Sequence, residues 1–94
     1  MVSKVNASHI LVKAEGEAYL ILKDIRDGKS SFEDMAKAKS ICPSRKKGGS
    51  LGWFGRNQMV KEFETAAFAM KKGQISSPVK SQFGYHIIRV DDVA

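Results

Sequence analysis

Apolar positions recur along this chain first every second residue and then every third or fourth. Over Val5–Lys13, the side chains of Val5, Ala7, His9 and Leu11 alternate with Asn6, Ser8, Ile10 and Val12, and β-branched residues are frequent. That is the spacing of a strand. Both sets turn apolar towards its end, so the strand is expected to be central, with His9 projecting among apolar neighbours. From Glu15 to Asp27 the period lengthens: Ala18, Ile21, Leu22 and Ile25 make one helical stripe, and Gly28 suits the C-cap. A second helix is expected from about Ser31 to Lys39, with Ser30 and Glu33 as a capping box and Phe32, Met35 and Ala36 on its inner face.

Ser40–Gly49 predicts a loop, since Pro43 lacks an amide proton and Gly48-Gly49 interrupts any regular element. Leu51–Phe54 reads as a short strand, and Gly52 within it suggests close approach of another backbone or a ligand. A turn at Gly55-Arg56-Asn57 leads to a third helix from about Met59 to Lys71, with Phe63, Ala66, Ala67 and Met70 inward and Gly73 at its end. Ile75–Lys80 is a short strand whose Pro78 suits a sheet edge. Ser81–Gly84 is a four-residue hairpin connection, and Tyr85–Val90 is a strong strand with His86, Ile88 and Val90 on one face. The order β-α-α-β-α-β-β predicts an α+β fold: a four-stranded, mostly antiparallel sheet surrounded by helices.

Ninety-four residues make one domain, 1–94, with a single modest core. The sequence carries neither a bilayer-length apolar run nor a signal peptide, and Cys42 stands alone, so a cytoplasmic location and no intrachain disulfide are expected. Sixteen Lys and Arg against ten acids give a net charge of +6, which raises nucleic acid as a partner. The basic residues are scattered apart from Lys37/Lys39, Arg45-Lys46-Lys47 and Lys71-Lys72, which argues against it. Arg45-Lys46-Lys47 reads as a solvated loop; a second reading has it attract acidic substrate segments.

Candidate chemistry is sparse. His9, Cys42 and His86 lack the paired spacing of a zinc site, and no phosphate-binding glycine loop or dinucleotide fingerprint is present, so neither metal nor cofactor is expected. Cys42 with either histidine could form a thiolate–imidazole pair; it could equally fill space at a loop edge. The histidines carry more information. Two central strands of a small sheet can bring their imidazoles together to share a hydrogen bond. Leu51, Phe54, Met59 and Phe63 could be helix-to-sheet core or the lining of an apolar pocket.

These residues fall in an ordered series: Ser8-His9-Ile10-Leu11-Val12-Lys13, Ser40-Ile41-Cys42-Pro43-Ser44, Gly48-Gly49-Ser50-Leu51-Gly52, Phe54-Gly55-Arg56-Asn57-Gln58-Met59-Val60 and Phe83-Gly84-Tyr85-His86-Ile87-Ile88. In this combination the chain resembles the parvulins, peptidyl-prolyl cis–trans isomerases with an FKBP-like superfold. The resemblance implies a catalytic group of His9, Cys42, Ser81 and His86. It implies a proline-ring pocket of Leu51, Met59 and Phe63 with Phe54 at its wall, and a hold on the substrate carbonyl by Gln58 and the Val60 amide. The implied partners are proline-containing polypeptides, with no membrane, and the protein is expected to be a monomer that assists folding. Only Lys13–Gly16 separates the first strand from the first helix, where phosphate-directed parvulins carry a long basic loop, so phospho-specificity is not expected. A non-catalytic polypeptide-binding module and a basic nucleic-acid binder are the competing readings.

Overall fold

The computed structural model describes residues 2–94. Its elements are β1 (Val5–Val12), α1 (Glu15–Arg26), α2 (Phe32–Lys39), a 3-10 helix (Pro43–Lys47), β2 (Ser50–Phe54), α3 (Lys61–Ala69), β3 (Val79–Ser81) and β4 (Gly84–Val93). The four strands form one sheet in the order β2-β1-β4-β3, with every neighbouring pair antiparallel. The expected α+β fold and element order are therefore observed.

Alternation along the two central strands divides the core. Ile10, Val12 and Ile87 face α1 and α2, where they meet Ile21, Leu22, Phe32 and Met35. Val5, Ala7, Ile88 and Val90 face the other way, onto Phe54, Phe63 and Ala67. His9 and His86 continue this second face, so the position of α3 decides what covers them.

Several boundaries differ from the sequence expectation, each for a local reason. The cap of α2 is Ser31, whose hydroxyl accepts the Asp34 amide at 3.0 Å, rather than Ser30 with Glu33. The segment Ser40–Gly49 is not wholly irregular: Pro43 supplies a preset φ that starts the 3-10 helix. Helix α3 begins at Lys61, two residues later than Met59, and ends at Ala69. Of Ile75–Lys80, only Val79 and Lys80 belong to a strand; Ile75 makes a lone bridge to Arg89, and Pro78 has no N–H to continue the ladder. Ser81 belongs to β3 and pairs with Gly84, so the connection is the two residues Gln82-Phe83. Strand β4 runs three residues past Val90, to Val93.

Two glycines shape the site side of the sheet. Gly49 has φ +91°, and a Cβ there would lie 2.5 Å from the His9 carbonyl oxygen, while its own carbonyl accepts the His9 amide at 2.9 Å. Any larger residue would push on the backbone that carries His9. Gly52 has open space around it, so no second backbone approaches it; its φ of +76° is what calls for glycine. It lies where the β1–β2 register shifts between Ala7 and Ser8, which partner Gly52 and Ser50. The extra residue, Leu51, is thereby turned onto the face of Phe54 and packs with the cluster beneath α3.

Candidate active site

The site grows from one diagonal of the sheet. His9 pairs with Ile88 and Leu11 with His86, so the two imidazoles project from the same face at diagonal positions of β1 and β4. Their Nδ1 atoms lie 2.9 Å apart and their ring planes are inclined by only 18°. Phe63, from α3, stands nearly perpendicular to both, 5.4 Å from His9 and 5.5 Å from His86. Both histidines are buried, at 5% and 3% exposure.

On its other side His86 meets Ser81. The Ser81 hydroxyl lies 2.6 Å from His86 Nε2 and accepts the Phe83 amide at 3.2 Å. Counting protons assigns a direction to this chain. Ser81 has one proton to give, and giving it to His86 Nε2 leaves the His86 proton on Nδ1. That N–H donates to His9 Nδ1, and the His9 proton sits on Nε2. The reverse order would leave the buried Ser81 hydroxyl without an acceptor. His9 Nε2 ends the chain as a buried N–H with no protein partner among the described residues.

Burial holds both imidazoles neutral. Desolvation, with the neighbouring His86 adding to it, brings His9 down to about 4. Desolvation also lowers His86, against a smaller opposing pull from Glu62. Neither ring carries charge at neutral pH.

Above the histidines opens a cavity of about 400 Å³. Leu51, Met59, Val60 and Phe63 line it from the side of β2 and α3; Leu11, Ile41, Cys42 and Pro43 line it from the other, with Lys13 and Phe83 contributing as well. The lining is almost wholly apolar, which suits a hydrocarbon ring and excludes water from its floor. Cys42 is half-buried with a free thiol in this wall. Among the described residues no three His, Cys, Asp or Glu side chains are grouped as a metal would need.

The residues expected from sequence thus divide. His9, Cys42, His86, Leu51, Met59, Val60 and Phe63 share one cavity, and Ser81 stands behind His86. Phe54 does not form the wall: it is buried behind Phe63 at 5.7 Å, where it also meets Phe68. Gln58 is exposed and outside the lining, its Oε1 accepting the Gly55 amide at 2.6 Å. Leu11, Lys13, Ile41, Pro43 and Phe83 also line the cavity, without a site role expected from sequence. Leu11 shares the alternation of His9 and was within reach of sequence; Ile41 and Phe83 are loop and turn residues without periodicity.

Ser40 anchors one wall. It is 2% exposed, and its hydroxyl accepts the amides of Leu11 at 3.1 Å and Cys42 at 3.3 Å, while the Ile41 amide donates to the Leu11 carbonyl at 2.8 Å. Ser40→Ala strands the Leu11 amide and loosens Ile41 and Cys42. The expected loss of stability is on the order of 2 kcal/mol, read from urea denaturation; a loss near zero would mean that water replaces the hydroxyl.

With this geometry in hand, residues 4–92 match the family described as the rotamase, PPIC-type PPIase domain. The chain belongs to the PPIC-type peptidyl-prolyl isomerase family, the parvulins. It is 53% identical over 91 residues to foldase protein PrsA 1 of Bacillus cereus, covering 96% of this chain and 32% of that protein. The crystal structure of PrsA from Bacillus anthracis superposes with a TM-score of 0.94 at 48% identity, covering 99% of this chain and 43% of the other. NmPin, the parvulin of Nitrosopumilus maritimus, gives a TM-score of 0.86 at 44% identity and is matched over 99% of its length, with 98% of this chain. The chain spans about a third of the length of the curated PrsA relative and nearly the whole of the small parvulin.

Proposed function

We propose that this parvulin domain catalyses cis–trans isomerisation of X-Pro bonds in unfolded or partly folded polypeptides, and so assists folding. The observation that carries this is the apolar cavity of Leu51, Met59 and Phe63 set directly on the neutral His9–His86 pair. Rotation about an X-Pro bond breaks amide resonance and leaves a barrier near ~20 kcal/mol. No bond needs to be cleaved, and no cofactor is required. A site that grips the proline ring, keeps water out and offers fixed dipoles to the twisted amide favours the rotated form over either planar one.

In this reading Leu51, Met59 and Phe63 hold the ring. The Ser81–His86–His9 chain fixes the field beneath it, with the Cys42 thiol beside it as a non-covalent neighbour. The Val60 amide, at the cavity wall, is the proposed contact of the substrate carbonyl. The short Lys13–Gly16 connection supports action on unphosphorylated sequences, and a free thiol in the wall is compatible with the cytoplasm as the working compartment.

Exchange spectroscopy on short X-Pro peptides tests the proposal: catalytic amounts of protein should bring cis and trans signals into exchange. No acceleration over the uncatalysed rate for any residue X would overturn it. Met59→Ala should lower kcat/KM about tenfold, since losing part of a thioether side chain from the ring contact removes about 1–2 kcal/mol. An unchanged kcat/KM would remove Met59 from the site.

A further inference from the structure

A second concavity, about 550 Å³, adjoins the proline cavity. It is lined by the end of α2 and by the 3-10 helix, with Lys39, Arg45 and Lys46 among its residues. The two cavities share Ile41, Cys42 and Pro43, which form a ridge between them. The ridge is held by the paired contacts of Ser40 and Ile41 with Leu11, so the relation between the cavities is built into the fold.

Charge across the pair is one-sided. Lys13 lines the first cavity, and Lys39, Arg45 and Lys46 line the second; no Asp or Glu lines either. Among the described residues none of these four cations is in an ion pair. Glu62, whose field reaches His86, belongs to α3, which contributes nothing to the second cavity. Three unneutralised cations around one hollow attract a carboxylate, and the apolar cavity beside it selects a proline ring.

We propose that the second cavity is a specificity site for an acidic side chain of the polypeptide substrate, a few residues along the chain from the proline held in the first. The inference rests on the isomerase reading, because it takes the first cavity as the proline site. A duplex nucleic acid fits less well. It presents phosphates along a broad surface, whereas these three exposed cations border one hollow that adjoins the apolar cavity. The loop Arg45-Lys46-Lys47 accordingly contributes two of its three charges to the site, and Lys39, on a different element, supplies the third.

The test is a peptide panel in which Glu, Gln or Lys is moved through the positions flanking a central X-Pro, with kcat/KM measured by exchange spectroscopy at low and at high salt. At one flanking position, Glu should exceed Lys by about five- to tenfold at low salt, the sum of two or three exposed charge contacts, and the ratio should approach one as salt screens them. In the triple variant Lys39→Glu/Arg45→Glu/Lys46→Glu the ratio should fall below one. Since such charge reversals could disturb the loop, Lys46→Gln alone should lower the ratio in the same direction. A ratio near one throughout, or one that persists in the triple variant, overturns the proposal.

Shifts of the Lys39–Lys46 amides on peptide titration separate this failure from failure of the isomerase reading. If no peptide is turned over but Glu-bearing peptides still shift those amides in preference to Lys-bearing ones, the acidic site stands and the isomerase reading falls. If duplex DNA shifts them and the acidic peptides do not, the cations serve nucleic acid and the proposal is overturned.

Discussion

Phe63→Ala is expected to destabilise the domain by about 3 kcal/mol and to lower its melting temperature by about 12 °C or more. The ring is 2% exposed and meets both imidazoles and the buried Phe54. Deleting a buried phenyl ring costs about 3–5 kcal/mol when the void stays empty. Here the void would open into an existing cavity, so water can enter and the cost falls at the lower end. The loss still matters against a total stability of about 5–15 kcal/mol. Catalysis should suffer too: removing one wall of the proline pocket forfeits about 2–3 kcal/mol of apolar contact, or about 100-fold in kcat/KM. Phe63→Leu separates the two effects. It keeps most of the volume and should cost less than about 1.5 kcal/mol, while removing the aromatic face from the histidines. Chemical denaturation and peptide exchange on both variants provide the measurement. A Phe63→Ala protein as stable as the parent would show that the ring is not packed as described.

The double role of Phe63 explains what the sequence could and could not disclose. Its helical spacing with Ala67 placed it on the inner face of α3, and the alternations of β1 and β4 placed His9 and His86 on one face of a sheet. Those are local patterns, and they survive folding because each element buries the stripe it was written with. The diagonal that brings the histidines to 2.9 Å depends on the pairing register of strands 77 residues apart, which no local period encodes. Phe54 shows the converse. It sits beside pocket residues in sequence, yet the bulge at Leu51 sends Leu51 to the cavity and leaves Phe54 behind Phe63. The resemblance implies Gln58 at the substrate carbonyl; in the structure its amide oxygen serves a turn, by accepting the Gly55 amide. The second cavity was legible only in part, because Lys39 and Arg45 lie on different elements and only the fold brings them to one hollow.

The histidine pair makes stability depend on pH in a window where carboxylates contribute little. His9 titrates near 6.5 when unfolded and is brought down to about 4 by burial. Between those values the unfolded chain binds a proton that the folded one refuses, so stability rises with pH there. The stabilisation is fully present above about 6.5 and is lost as pH falls through about 4. A displacement of this size corresponds to about 3 kcal/mol from His9, and His86, lowered by the same cause, acts in the same direction. Urea midpoints should therefore be constant above pH 7 and should fall steeply between pH 6.5 and 4. Glu33 is also lowered on folding, by its own backbone amide and by Arg89, and acts below its ordinary value near 4.5. Glu33→Gln should alter only the acid end of the curve. His9→Leu should flatten the upper part while His86 retains a remnant of it, and the double change with His86→Leu should leave it flat. Midpoints that stay level from pH 7 down to pH 5 in the parent protein would mean that the imidazoles are hydrated, and the dry floor beneath the proline cavity would have to be given up.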